Sequence, residues 1–426
     1  MPDMPGAGSS FGPNDWLVDE MYQSYRLDPS SVSESWRDFF HDYHPNGMAP
    51  APVAAPLPAA AAPAASAPAP ASAPAPAPAL PPGPPGATPL RGAAARLAAN
   101  MEASLGVPTA TSTRVVPARL LEVNRTILNN HLSRSRRGKV SFTHLIGWAV
   151  VRAVGAVPAM RSAFATGADG GPAVIHHEHV GLGLAVDLQK PDGRRTLLVP
   201  CITDADTLDF RSFWAAYEEL IRKVRSNKAG ADDFAGVTMT LTNPGTIGTV
   251  HSVPRLMPGQ GAIIGVGAIA YPAEYQAADL SMLAELGVSK VITLTSTYDH
   301  RVIQGAESGL FLARAHALLL GEDGFYDEVF AALGVPYEPA RWRRDVNPVD
   351  REHTHLIKQM RVQRLINMYR VRGHLIADLD PLAVKPPHTH PELDPSTHNL
   401  TIWDLDREFV TNHLAGRDVL TLGEIL

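Results

Sequence analysis

The stretch TSTYDHRVIQGAESG, residues 295–309, sets a histidine between an aspartate and an arginine just past a β-rich run. A neutral imidazole takes up a proton near pH 7, so His300 is a candidate general base. The group it deprotonates would have to come from a substrate. Cys201, the single cysteine of the chain, follows Pro200 at the end of an apolar run and reads as a packing residue. A carrier thiol attacking an acyl group suits a lone histidine, because the carrier brings its own nucleophile. Such a reaction passes through a tetrahedral oxyanion. Thr242, in TLTNPGT, offers a hydroxyl where a strand gives way to a turn. A histidine that merely ends a strand would look the same, and spacing alone does not separate the two readings.

These residues must be positioned by a chain of 426 residues, long enough for two or three domains. Its net charge of −6 gives no reason to expect electrostatic binding to nucleic acid or to an anionic membrane. One cysteine excludes an internal disulfide framework and any multi-cysteine metal site. The N-terminus lacks the basic-then-apolar order of a secretory signal, and no apolar run is of membrane-spanning length. A cytoplasmic protein is expected.

Composition divides the chain into four segments. Residues 1–43 contain a short helical hairpin: Leu17, Met21 and Tyr25 recur at helical spacing, Asp28-Pro29 breaks the pattern, and Val32, Trp36, Phe39 and Tyr43 form a second stripe that Ser30 or Ser31 would cap. Two such helices cannot fold alone, and their aromatics predict docking onto something larger, outside this chain's own domain; the alternative is a small flap on that domain. Residues 44–88 are an Ala/Pro run without charge, predicted to be an extended tether that reaches on the order of 100 Å at roughly 3.1 Å per residue. Residues 89–337 mix helices with β-rich runs. Helices are predicted from Leu90, from Pro117 and after a Ser141 cap, then over FRSFWAAYEELIRKVRSN and ESGLFLARAHALLLG; strands are predicted over HVGLGLAVDL, RTLLVPCIT, VTMTLTN, GAIIGVGAI and KVITLTSTYD. The class is α+β with one mixed sheet. Residues 338–426 open with a basic amphipathic helix ending at Gly373 and continue as a Pro-rich, irregular stretch that looks cut off.

The signature around His300 resembles the DHR-x-x-DG motif of the dihydrolipoamide acyltransferases, the second components of 2-oxoacid dehydrogenase complexes. VTMTLTNPGTIGTVHSVPRLMPGQGAIIGVGAI, PARLLEVNRTILNNHL and KVSFTHLIGWAVV are similar to further segments of the same enzymes, so the resemblance covers residues 89–337. NDWLVDEMYQSYRLDPSSVSESWRDFFHDY is similar to the N-terminal docking segment of 2-oxoglutarate dehydrogenase, and YRVRGHLIADLDPL and LTIWDLDREF to that enzyme's next part. The order resembles the fused actinobacterial 2-oxoglutarate dehydrogenases.

The resemblance implies a chloramphenicol-acetyltransferase-like core that assembles as a homotrimer, with each active site at a subunit boundary. It implies succinyl transfer from a dihydrolipoyl group to coenzyme A, with His300 as base and Thr242 steadying the oxyanion. Gly305 matches the glycine of the signature. Gln304 stands where most of the family has an aspartate that pairs with an arginine on the first helix; Arg91 resembles that arginine. Gln304 can hydrogen-bond but cannot neutralise Arg91, though Glu307 could substitute. The alternative is a catalytically weak trimeric scaffold. No segment resembles a lipoyl domain, so the implied partners are a lipoyl-bearing acyltransferase and dihydrolipoamide dehydrogenase. Thiamine diphosphate and Mg2+ are expected only for a dehydrogenase part beyond these residues.

Three other features carry weaker readings. Arg134, Arg136 and Arg137 in SRSRRGK form either a solvated helix end or a contact for coenzyme A phosphates. GVGAIA mimics a dinucleotide fingerprint without the βαβ unit it needs. IHHEHV is contiguous, so its histidines point apart and read as a solvated entrance to a strand rather than a metal site.

Overall fold

The computed structural model describes residues 15–41, 43, 93–134, 138–189, 193, 195–345, 351–377 and 390–426. Two short helices come first, α1 (Asp15–Leu27) and α2 (Glu34–His41), followed by α3 (Ala93–Ser104), β1 (Thr109–Pro117), α4 (Arg119–Arg134) and α5 (Phe142–Ala156). A hairpin of β2 (Ser162–Thr166) and β3 (Pro172–His176) precedes the short strands β4 (Leu182–Leu184), β5 (Val186–Gln189), β6 (Arg195–Leu198) and β7 (Cys201–Ile202). Then come α6 (Phe210–Arg225), β8 (Met239–Thr242), β9 (Ala262–Val266), α7 (Leu280–Leu286), β10 (Val291–Asp299), α8 (Gly305–Leu319) and α9 (Phe325–Leu333). The chain continues as α10 (Arg351–Arg372), β11 (Glu408–Leu414), β12 (Arg417–Thr421) and α11 (Leu422–Ile425).

Six strands form one mixed sheet in the order β1-β10-β9-β8-β4-β7. β8 runs parallel to both β9 and β4, and the remaining pairs are antiparallel. β10 is central to the site. Ile292, Leu294 and Tyr298 alternate into the core shared with α5 and α8, as period-two geometry requires. Thr293, Thr295 and Thr297 take the opposite face, where Thr297 meets Thr111 of β1 at 2.9 Å between hydroxyls. The expected α+β class with one mixed sheet is what the structure shows.

α5 has the Ser141 cap expected of it: the Ser141 hydroxyl accepts the His144 N–H at 3.2 Å. The box closes through the histidine ring, whose Nδ1 accepts the Ser141 N–H at 3.0 Å. The glycines of GVGAIA are there for close packing. A Cβ on Gly265 would lie 2.3 Å from the Thr295 hydroxyl, and one on Gly267 would lie 2.0 Å from the Val250 carbonyl. No helix starts within the motif as a dinucleotide fold would need; Ala270 bridges back to Val291, and α7 begins only at Leu280.

Four expectations need correction. β1 was not anticipated, because TATSTRVVP is rich in small hydroxyl residues, and it gains its place by pairing along its whole length with β10. His176 is not at the entrance to a strand but is the last residue of β3. Residues 390–426 are irregular only as far as residue 407: beyond it β11 and β12 pair as a hairpin, and Phe409, Leu400 and Leu422 close a small second core against Val362, Leu365 and Ile366 of α10. That unit is tied to the part built on the six-stranded sheet by Arg119, whose Nε and Nη2 donate to the Ile402 carbonyl at 3.0 and 2.7 Å.

The fourth concerns the N-terminal helices, which pack onto this chain. Val32, Trp36 and Phe40 join the main core. The Trp36 indole N–H donates to the Ala229 carbonyl at 3.1 Å, and its ring stacks on Phe40 at 5.2 Å between centroids. Asp28, rather than Ser30 or Ser31, caps the turn between the helices, its carboxylate accepting the Ser30 N–H at 2.9 Å. The aromatic stripe therefore finds its partner within the chain, which sequence periodicity could not reveal. The tether, residues 44–88, and Arg91 lie outside the described residues.

Candidate active site

His300 occupies the first turn beyond β10, with its side chain exposed. Its backbone is held tightly. The His300 N–H donates to the Pro108 carbonyl at 2.9 Å, and the preceding Asp299 N–H donates to the Gly261 carbonyl at 3.0 Å. The Asp299 carbonyl accepts from Val302 and Ile303, which turns the chain towards α8. The Asp299 carboxylate is only 3% exposed and takes the Arg301 guanidinium on both oxygens, with Nε at 2.9 Å from Oδ1 and Nη2 at 2.6 Å from Oδ2. Beside the histidine ring stands Tyr298, edge-on at 5.6 Å between centroids.

Gln304 is the N-cap residue of α8, and Gly305 is the first residue inside. The Gln304 backbone N–H donates to Glu307 Oε2 at 2.6 Å. Glu307 thus serves the helix end, a role that competes with pairing to an arginine. Gly305 lies against Tyr298: an added Cβ would stand 3.4 Å from the tyrosine hydroxyl.

Thr242 is the last residue of β8 and is half-buried. The turn after it is anchored by Asn243, whose Nδ2 donates to the Thr143 hydroxyl of α5 at 2.7 Å. Arg134 ends α4 and donates to the Tyr337 hydroxyl at 3.2 Å from an exposed position. Arg136 and Arg137 lie outside the described residues.

The register separates the two candidate catalytic side chains. Thr242 faces Gly265 of β9, and Gly265 faces Thr295 of β10. His300 lies five residues beyond Thr295, which is about 17 Å along the strand direction, and β8 is two strands away, about 10 Å. One copy of the chain therefore holds the two backbones roughly 20 Å apart, with Thr242 level with the middle of β10 and His300 beyond its end. Asp299, Arg301, Pro108 and Asn243 hold the site together, and the sequence reading assigned them no role. An acid and a base flanking a histidine at the end of a strand were the available signal.

Cys201 is buried, and burial, assisted by the Asp204 charge, pushes its thiol up to about 12. It is a packing residue rather than a nucleophile. His176 Nδ1 lies 3.0 Å from the Ser162 hydroxyl and His179 Nδ1 lies 3.3 Å from Asp206 Oδ2. Among the described residues no group of histidine, cysteine and acidic side chains could hold a metal ion, and no helix is long and apolar enough to cross a membrane.

Comparison with known proteins gives the family. The family described as 2-oxoacid dehydrogenases acyltransferase (catalytic domain) matches residues 83–323, more than half of the chain. The chain belongs to the 2-oxoacid dehydrogenase acyltransferase family. A second family, the 2-oxoglutarate dehydrogenase N-terminus, matches residues 9–47. The multifunctional 2-oxoglutarate metabolism enzyme of Mycolicibacterium vanbaalenii is 51% identical over 457 aligned residues, covering 98% of this chain and 36% of the relative. Its counterpart in Mycobacterium sp. strain JLS is 49% identical, covering 99% of this chain and 38% of the relative. The chain thus spans little more than a third of the length of these relatives. Among solved structures, the cubic core of a pyruvate dehydrogenase multienzyme complex is 28% identical with a TM-score of 0.47, covering 60% of this chain and 100% of that one. The dihydrolipoamide acetyltransferase of Azotobacter vinelandii is 27% identical with the same TM-score and the same coverage.

Proposed function

We propose that this chain transfers a succinyl group from a dihydrolipoyl carrier to coenzyme A, as the acyltransferase part of a 2-oxoglutarate dehydrogenase complex. The observation that carries this reading is His300: an exposed imidazole on a fully anchored turn, inside the residues that match the acyltransferase family. The succinyl group is favoured over other acyl groups by the match to a 2-oxoglutarate dehydrogenase N-terminus and by relatives named for 2-oxoglutarate metabolism.

In this mechanism an imidazole nitrogen of His300 takes the proton from the coenzyme A thiol. The thiolate sulfur attacks the thioester carbonyl carbon, and the new oxyanion accepts a hydrogen bond from the Thr242 hydroxyl. Collapse breaks the bond from carbon to the lipoyl sulfur, and the imidazolium returns the proton to that sulfur. His300 and Thr242 of one copy are too far apart to serve one substrate, so the working unit is a homotrimer in which each site takes the histidine from one copy and the threonine from its neighbour. Arg134, with Arg136 and Arg137, is assigned to the coenzyme A phosphates. Gln304 and Gly305 shape the turn into α8, and Arg91 is assigned to the partner position that the family fills with an arginine.

We assign residues 1–43 to the dehydrogenase-type N-terminal segment, 44–88 to a tether, 89–337 to the acyltransferase core and 338–426 to the start of the dehydrogenase part. A lipoyl domain carried by another acyltransferase would deliver the substrate, and dihydrolipoamide dehydrogenase would reoxidise it. No residues here are assigned to thiamine diphosphate or Mg2+. His300→Ala, assayed for succinyl-coenzyme A formation from succinyl-dihydrolipoamide, should lose about 10²- to 10⁴-fold in rate with its assembly intact. An unchanged rate would reduce the core to a scaffold.

A further inference from the structure

The turn that carries His300 is braced from a part of the chain 136 residues away, the β2–β3 hairpin. Arg301 not only grips Asp299. Its guanidinium carbon also lies 3.7 Å from the centroid of the Phe164 ring, within stacking distance. The hairpin is itself registered against the same turn. A Cβ on Gly261 would lie 2.1 Å from the Ser162 carbonyl, so the base of β2 passes directly behind Gly261. Gly261 is the residue whose carbonyl accepts the Asp299 N–H. Ser162 and Phe164 are two apart on one strand and share a face. One strand thus meets the turn directly at Arg301 and backs Gly261, the residue before β9 that anchors Asp299.

The geometry points to Phe164, with Asp299 and Arg301, as positioning residues for His300. This rests on the proposed role of His300 as base. Asp299 and Arg301 flank the histidine, and their bidentate pair closes a ring of chain around that one residue. The Arg301 backbone N–H adds a further contact, donating to Asp299 Oδ1 at 3.0 Å. A free arginine would swing with its side chain 31% exposed. The Phe164 face fixes the plane of the guanidinium, and with it the plane of the Asp299 carboxylate. What is held in the end is the direction of the His300 Cα–Cβ bond, and therefore the place where the imidazole meets a thiol. Phe164 acts through Arg301.

The test compares Phe164→Leu, Phe164→Tyr, Arg301→Lys, the Phe164→Leu/Arg301→Lys double variant and His300→Ala in the full chain, with kcat, KM for coenzyme A and the unfolding midpoint measured for each. Leucine fills space without a π face; tyrosine keeps the face. Lysine keeps the charge without the planar fork. We expect Phe164→Leu to lower kcat about 10-fold with KM for coenzyme A little changed, since misplacement of a catalytic group is felt in the chemical step. Phe164→Tyr should retain the wild-type kcat. Arg301→Lys should lose as much as Phe164→Leu or more, and the double variant no more than Arg301→Lys alone, because both act through one contact. An unimpaired Phe164→Leu, a Phe164→Tyr as slow as Phe164→Leu, or losses that simply multiply in the double variant would each overturn the inference while a dead His300→Ala left the proposed function standing. Full activity in His300→Ala would overturn both. Where Phe164→Leu does not fold, Arg301→Lys decides by the same kcat and KM readings.

Discussion

Thr242 and His300 face different physical demands. A base needs access to its substrate and a fixed origin, and His300 has an exposed ring on a backbone anchored to Pro108. An oxyanion donor needs a hydroxyl that is present at the right place when charge develops, and Thr242 has a half-buried side chain at the lip of the sheet. On the proposed mechanism, Thr242→Val should lower kcat by about 10²- to 10³-fold, the range for losing one such donor, while Thr242→Ser keeps most of the rate. Steady-state kinetics on the purified variants checks both. Both residues were legible from the sequence as candidates, because a strand end and a turn are local features. Their separation was not legible, since it depends on how β8 pairs with β9 and β9 with β10.

At the scale of single elements, α5 has an unusual cap. His144 is buried, and burial, with the nearby Arg125 charge, pulls its pKa down to about 4. Its Nδ1 accepts the Ser141 N–H and its Nε2 lies 3.1 Å from Glu218 Oε1, an arrangement suited to the neutral ring with the proton on Nε2. A histidine whose folded pKa lies below its unfolded value of 6.5 contributes stability that is complete above pH 6.5. That contribution is lost as pH falls from about 6.5 to about 4, because the unfolded chain binds the proton first. The loss should amount to on the order of 3 kcal/mol across that window. Chemical denaturation from pH 7 to pH 4 should show it, and His144→Gln should flatten that part of the profile. The Ser141 cap, the β10 alternation and α8 could all be read from the sequence, since caps and periodicity are local. β1 and the β2–β3 hairpin could not: TATSTRVVP and SAFAT have little apolar contrast, and their pairing partners, not their composition, make them strands.

Over the whole molecule, two units beyond the sheet are fastened to the core by a few aromatic and arginine contacts. α1 and α2 sit through Trp36, which is 3% exposed. Trp36→Ala should cost that seat about 3–5 kcal/mol. Hydrogen exchange over residues 15–41 should then speed up while β10 keeps its protection. The C-terminal unit hangs on Arg119 and on Trp403, whose indole donates to the Arg343 carbonyl at 2.7 Å. Sequence periodicity showed an aromatic stripe in α2 but not its seat, because the seat, at Ala229, is 193 residues away in the chain.

The distance between Thr242 and His300 has one more outcome. Take two defective preparations, one carrying His300→Ala and the other Thr242→Val, each slowed about 100-fold or more by itself. Unfolded, blended in equal amounts and refolded together, they should regain about one quarter of the normal turnover, because that share of the boundaries in the proposed closed ring of three joins a sound imidazole to a sound hydroxyl. Two impaired proteins would mend each other, and a blend that stayed slow would mean that both groups must belong to the same polypeptide.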